Sequence, residues 1–370
     1  MMNTLAKIKN YFYDRWCIVH NACSKRFNLI KKTVIWFCYL SFPLGKKAYL
    51  IGTPEYTNIG DSAICLAEMN FLHRSGFSKR RIKEISTSEY LTYRELIKKY
   101  ISSSSLICGM GGGNMGNHWY NEELLRYEII NDFKNYPIII FPQTIFYTDD
   151  EFGKKAEKAS VEHYDSCKKL CLIAREENSF SVMKKLYKEA EILLTPDIVL
   201  SANKEAFSIK TKAKDIVLLC MRSDKEKILS ESYVSNIEIY LQKIGQNYKF
   251  IDMYSEYDIN KKNRLEYTRK KLEEFAGSKL VITDRLHAMI FSAITETPCI
   301  VFDNVSKKIS GTYEWIKYLD YIKYVDDMSN LTYLHKLIDN MINLEDCKFD
   351  NTPLLVHFNK IAEVIKNYVD

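Results

Sequence analysis

The stretch Val281-Ile282-Thr283-Asp284-Arg285-Leu286-His287-Ala288-Met289 decides the fold, because it reads as a strand running straight into a helix. Outward from it the same unit recurs. Short apolar runs stand at residues 48–52, 82–86, 106–108, 138–141, 170–174 and 192–194, and amphipathic stretches such as 63–72, 93–100 and 124–133 lie between most of them. Apolar runs separated by helical patterns predict βαβ units and a parallel sheet. A polar stretch, Ser201 to Lys214, then intervenes without apolar periodicity, and the alternation restarts at residues 216–221, 250–253, 280–283 and 299–303. The sequence therefore predicts an α/β protein of two doubly wound domains, residues 47–205 and 206–370. Residues 331–369 are helical in pattern and are expected to pack back across both. Open parallel sheets bind ligands beyond the carboxyl ends of their strands, so two facing sheets would put one cleft between them.

Composition agrees with this reading. A chain of 370 residues suits about two domains. Hydrophobic residues at 46% and charged residues at 27% support a packed core and exclude a disordered chain. The net charge of +6 is unevenly spread. Residues 1–48 carry Lys7, Lys9, Arg15, Lys25, Arg26, Lys31, Lys32, Lys46 and Lys47 against a single acid, Asp14, with many aromatic residues interleaved. That mixture predicts an N-terminal segment, residues 1–46, in contact with a membrane surface; a helix pair packed on the body is the alternative. No nucleic-acid-binding motif follows, so nucleic acid is not expected as a partner. The apolar stretch 34–44 is too short to span a bilayer, which takes about 20 residues, and it lacks the pattern of a secretory signal. None of the ten cysteines forms a Cys-x-x-Cys pair, and Cys167 and Cys171 have no second pair to match them. Reduced, mostly buried thiols in a cytoplasmic protein are expected, with no zinc site.

Chemistry is sought in the strand-end loops. In Asn58-Ile59-Gly60-Asp61, Gly60 permits a tight approach and Asp61 stands where a helix cap belongs; beyond capping, its carboxylate could take a proton from a sugar hydroxyl. Gly111 to Gly116 matches Gly-x-Gly-x-x-Gly, but it follows the third strand, and no acidic residue ends the next strand to hold a ribose, so a dinucleotide site is not expected. Its glycines, Gly112 and Gly113 among them, instead suggest backbone in close approach to a ligand oxygen or a neighbouring chain. Arg175 and Arg222 each end a strand, as a carboxylate or phosphate clamp or as a partner to nearby acids. In Asp284-Arg285-Leu286-His287, Asp284 is read as the N-cap, with Arg285 and His287 in the first turn. A helix start favours an anion, so a cation there implies an anionic partner, and His287 could deliver a proton. Lys308 could hold a phosphate or face water. No Asp-x-Asp pair and no P-loop occurs.

Together, Asn58-Ile59-Gly60-Asp61, Gly111-Gly112-Gly113-Asn114, Pro142-Gln143, Arg175-Glu176, Thr195-Pro196-Asp197, Asp284-Arg285-Leu286-His287 and Lys308-Ile309-Ser310-Gly311 resemble the polysaccharide pyruvyl transferases, from about Lys47 to Trp315. The resemblance implies a glycosyltransferase-B-like pair of Rossmann-like domains. It implies transfer of the pyruvyl group of phosphoenolpyruvate to a pair of sugar hydroxyls, giving a cyclic ketal and phosphate. The acceptor would be a polysaccharide or a lipid-linked precursor. Arg285, Leu286 and His287 would then serve donor binding and acid chemistry, Arg175 would match the upstream strand-end arginine, and His118 would correspond by spacing to a further histidine. Asn58, Gly60, Gly112, Gly113, Asn114 and Gln143 join the substrate-binding set, with Arg222 or Lys308 as a further cation. No cofactor and no metal are expected, because arginines can supply the positive charge. A nucleotide-sugar glycosyltransferase and a non-catalytic glycan-binding subunit are the alternatives.

Overall fold

Runs rich in Ile, Leu and Val, buried on both faces, give parallel sheets covered by helices. The computed structural model describes residues 30–210, 215–224 and 226–369. The first sheet contains β1 (Ala48–Thr53), β2 (Ile82–Ser86), β3 (Leu106–Gly109), β4 (Gly112–Gly116), β5 (Ile138–Phe146), β6 (Leu170–Ala174) and β7 (Glu191–Leu194). Its order is β2-β1-β3-β5-β6-β7, with β4 paired to β5. The second contains β8 (Ile216–Cys220), β9 (Tyr248–Phe250), β10 (Ser278–Thr283), β11 (Cys299–Phe302) and β12 (Ile322–Val325), in the order β12-β11-β10-β8-β9. All pairings within both sheets are parallel. This is the α/β architecture expected from the alternation: two doubly wound, Rossmann-like sheets in a glycosyltransferase-B-like arrangement.

Each sheet reverses its winding once, between β1 and β3 in the first and between β8 and β10 in the second. Such switch points open a crevice at the strand ends. Beyond these four strands, residues 56–58 and Asp61 after β1, Gly113 and Asn114 of β4 after β3, Arg222 and Glu226 after β8, and residues 285–287 after β10 line one cavity.

β4 and β12 were not among the expected runs, and two expected strands differ in extent. The run at 250–253 was expected as a strand, but β9 ends at Phe250. The next residues cross to the first domain, where Ile59 donates its N–H to the Met253 carbonyl and Asn58 bridges Tyr254. The run at 138–141 continues through Pro142 to Phe146. Proline lacks an N–H, and Pro142 falls in the gap where pairing passes from β3, ending at Ile140, to β4, starting at Gln143.

Of the N-terminal segment, residues 1–29 lie outside the described residues, and residues 30–41 form a helix. Among the described residues no helix is long and apolar enough to cross a membrane. The polar connection at 201–214 holds a short 3-10 turn, Lys204–Phe207, and its residues 211–214 are outside the described set. The last helix, Thr352–Val369, contacts β3 and β7 of the first sheet, and Phe358 meets Phe71 with ring centroids 6.3 Å apart. One buried core consequently runs through residues of both sheets.

Candidate active site

The helix starts around the cavity differ in detail from their sequence reading. Asn58, not Asp61, caps the helix Ile59–Arg74, its side chain accepting the Gly60 N–H at 2.9 Å. That leaves Asp61 in the first turn, on the cavity wall. Asp284 does not cap the helix Leu286–Ile294 either. Its carboxylate accepts the Arg222 N–H at 2.7 Å, Thr283 Oγ1 accepts the Arg285 N–H at 3.0 Å, and Arg285 itself holds the cap position with extended backbone. Arg285 thus stands just outside the helix. Its charge is answered within the protein by Asp252 at 2.7 Å and Asp224 at 3.6 Å, so opposition to the helix dipole no longer requires an anion by itself.

The cavity holds about 360 Å³ and is lined by residues of both domains. Its floor is cationic. Arg175 is buried, donating Nη1 to Asp197 and Nε to Thr144, each at 2.8 Å. Its partner is Asp197 rather than the adjacent glutamates; Glu176 instead caps its own helix by accepting the Ser179 N–H. Arg222 pairs with Asp224 at 2.9 Å and with Glu226. Lys308, the first residue of the helix Lys308–Ile316, is buried rather than facing water, and places Nζ 2.7 and 2.9 Å from the two oxygens of Glu226.

His287 lies between these groups. Its Nε2 is 3.8 Å from Asp197 Oδ2. Burial pushes its pKa down to about 4; Asp197 opposes this, and Arg175, Lys308 and Arg222 add to it. The imidazole is therefore neutral at neutral pH. Burial also brings Lys308 down to about 8, against the pull of Glu226. Asp61 is raised to about 6, again chiefly by burial, although Tyr56 donates a hydrogen bond to it. His287 Nε2, Arg285 Nε and Arg285 Nη2 are buried without a hydrogen-bond partner, the contact of Nη2 with Asp252 being close but misaligned. Orphaned polar groups on a cavity wall are groups that a ligand can satisfy.

Around the mouth stand Tyr56, Trp119 and Tyr254, all partly exposed, with Glu122 beside them. The Arg285 guanidinium lies 5.0 Å from the Tyr254 ring centroid. Two seams tie the domains on either side. Ser255 donates its N–H to Thr57 O at 2.9 Å, and Trp315 donates Nε1–H to Arg175 O at 2.8 Å.

The structure brings Asn58, Asp61, Gly113, Asn114, Arg175, Arg222, Arg285, Leu286, His287 and Lys308 to this one cavity. Three other candidates serve from behind it. Gly60 carries the His287 ring, which a Cβ there would overlap. Gly112, at φ +141°, starts β4. Gln143 is buried in β5, donating to the Met110 carbonyl at 2.7 Å. His118 is not among the lining side chains; its ring packs edge-on against Trp119 and Phe146. The glycine run is a strand rather than a ligand loop, and the close approach it permits is to the protein itself. A Cβ on Gly111 would lie 2.8 Å from Pro142 O, and one on Gly113 would lie 2.6 Å from Arg175 Nη2. Asp197, Glu226, Asp252, Trp119 and Glu122 received no role from sequence. Asp197 and Asp252 follow strands β7 and β9, which is the signal that could have found them; Glu226, Trp119 and Glu122 carry none.

Comparison with known proteins identifies the family. Residues 58–306 match the family described as polysaccharide pyruvyl transferase. The chain is 34% identical over 321 residues to general stress protein 30 of Bacillus subtilis (strain 168), covering 85% of this chain and 91% of that one. It is 29% identical over 280 residues to pyruvyl transferase 1 of Schizosaccharomyces pombe, covering 70% and 66%. A crystal structure from Klebsiella pneumoniae subsp. pneumoniae NTUH-K2044, of a protein without an assigned function, shares the fold with a TM-score of 0.52 at 18% identity, covering 80% of this chain and 98% of that one. This chain belongs to the polysaccharide pyruvyl transferase family, and it is a transferase.

Proposed function

We propose that the protein transfers the pyruvyl group of phosphoenolpyruvate to two hydroxyls of one sugar residue, in a polysaccharide or a lipid-linked oligosaccharide precursor, forming a cyclic ketal and releasing phosphate. The observation that carries this reading is the convergence of Arg175, Arg222, Arg285 and Lys308 with an unpartnered His287 on one cavity. A compact donor bearing a carboxylate beside a phosphate needs several cations around it, and arginine suits both groups. His287 protonates the methylene carbon of the donor, which makes the adjacent carbon electrophilic. One sugar hydroxyl adds to that carbon and gives its proton to Asp61; phosphate departs with that proton, and the second hydroxyl closes the ketal, returning a proton to His287. Asp61, a carboxyl held up to about 6, is a serviceable base near neutral pH.

The neutral state of His287 fits this sequence of events. Burial chiefly disfavours the imidazolium, and Arg175, Lys308 and Arg222 add to it. A bound dianion offsets the cations' part of this shift and so raises the proton affinity of the histidine. The acceptor ring rests at the mouth against Trp119 and Tyr254, which offer apolar faces to a sugar, with Asp61 and Glu122 for its hydroxyls. A lipid-linked acceptor would fit a reaction in the cytoplasm at the inner face of the cell membrane.

Incubation with phosphoenolpyruvate and galactose-, glucose- or mannose-terminated acceptors, read as phosphate release and mass gain, tests the reading. His287→Gln should abolish turnover and leave donor binding largely intact. Stabilisation by a sugar nucleotide but not by phosphoenolpyruvate would instead favour glycosyl transfer.

A further inference from the structure

The helix over residues 30–41 is amphipathic in an unusual sense: both of its faces are apolar. One face is committed to the first domain. Trp36 and Leu40 are buried there, Trp36 meets Tyr93 at 5.1 Å between ring centroids, and Tyr39 donates to the Glu84 carbonyl at 2.8 Å. The helix is thereby held in place. The other face is open. Ile30 is 63% exposed, Val34 54%, Ile35 57% and Phe37 40%; in the turn that follows, Phe42 is 50% and Leu44 72% exposed. Residues 30, 34 and 37 share one stripe by helical spacing, and Phe42 packs edge-on against Phe37 at 6.1 Å, so the stripe and the turn are continuous. Monomeric soluble proteins seldom leave such a patch uncovered.

The charges carried by this segment are of one sign. Residues 30–54 contain no acid. Lys31 is exposed one turn before Ile35, and Lys32, also exposed, stands over the ring of Tyr93 where the helix meets the domain. Lys99 stands over the ring of Tyr100, which itself contacts Phe37. Arg81 donates to the Leu44 carbonyl at 3.2 Å. An apolar strip with a basic collar matches a bilayer surface carrying anionic lipid, whose acyl boundary takes the apolar side chains and whose headgroups take the cations. A second copy of this chain fits less well, because a two-fold interface would set each lysine collar against its own equivalent.

We propose that the open face of this helix, with residues 42–44, seats the protein on an anionic membrane surface. This rests on the reading of an acceptor held at the membrane, and names the contact surface and the lipid charge it requires. Vesicle binding and phosphate release are separate readouts, so either idea can fail alone.

The test uses the full chain, sedimented with phosphatidylcholine vesicles with and without phosphatidylglycerol at low and high salt. Binding should require phosphatidylglycerol and weaken with salt. The double variant Ile35→Glu, Phe42→Glu should lose binding by about tenfold or more while retaining its melting temperature and its turnover of a water-soluble acceptor. Lys31→Glu with Lys32→Glu should weaken binding by about fivefold or more per site. Unchanged binding of the first variant overturns the proposal. So does a concentration-dependent dimer of the parent protein that the same glutamates dissolve, since the face would then belong to a second copy.

Discussion

His287 shows how little slack the site has. Its ring rests on Gly60, and a Cβ added there would overlap Nδ1 and lie 2.7 Å from Cγ. Gly60→Ala should therefore displace the imidazole rather than unfold the helix start. A shift of that size costs on the order of a hundredfold in rate. We expect kcat to fall accordingly, with donor affinity near normal and a melting temperature within a few degrees of the parent; an unchanged kcat would show that the ring has room. The sequence could say that Gly60 permits a tight approach. It could not say to what, because His287 lies in the other domain. The same limit applied at Asp284 and Asp61, which look like caps because Asp is a good cap. Asn58 and the Arg222 N–H, each set by a neighbouring loop, decide otherwise. The cations Arg175, Arg222, Arg285 and Lys308 were legible from their strand-end or helix-start positions. Arg222 pairs with acids of its own loop, Asp224 and Glu226, as its sequence neighbourhood allowed; the partners of Arg175, Arg285 and Lys308 were not legible, since they depend on which strand ends meet.

At the scale of elements, the strands were legible wherever both faces are buried, because their apolar runs are then continuous. β4 was not, as it is built of Gly112, Gly113, Asn114, Met115 and Gly116 and carries no apolar run; its place follows from β5 alongside. The helix Arg264–Ala276 has a further task beyond covering its sheet. Arg264, buried at its first residue, reaches the first domain and donates to Glu84 and to the Pro54 carbonyl. Glu84 is itself buried and also accepts from Thr53. Removing one partner of a buried pair leaves the other charge stranded, at about 3–5 kcal/mol. Arg264→Ala should lower unfolding stability by about that much in a denaturant titration, whereas Arg264→Ala combined with Glu84→Gln should recover part of the loss. Equal stability of parent and single variant would mean that water reaches the pair.

Across the whole molecule, two switch points meet over one cavity, so its pH behaviour belongs to both domains at once. Asp61, from the first, works as a base only when ionised, and its fraction ionised grows as pH rises through about 6. Lys308, from the second, binds an anion only when charged, and that charge is lost as pH rises through about 8. The profile of kcat/KM reports the free enzyme, in which the acid His287 is charged only below about 4. It should be highest between about 4 and 6, fall above that, and show a further, steeper upper limb near 8 where Lys308 loses its charge. Lys308→Arg should abolish the limb near 8, since a guanidinium keeps its charge; a limb that stays in place there assigns it to another group. The pairing of cavity cations with Asp197, Asp224, Glu226 and Asp252 has one more consequence, for turnover. An arriving anion competes with carboxylates already in position, and a departing phosphate leaves cations that have partners waiting. The site therefore resets itself, and inorganic phosphate should be a weak product inhibitor.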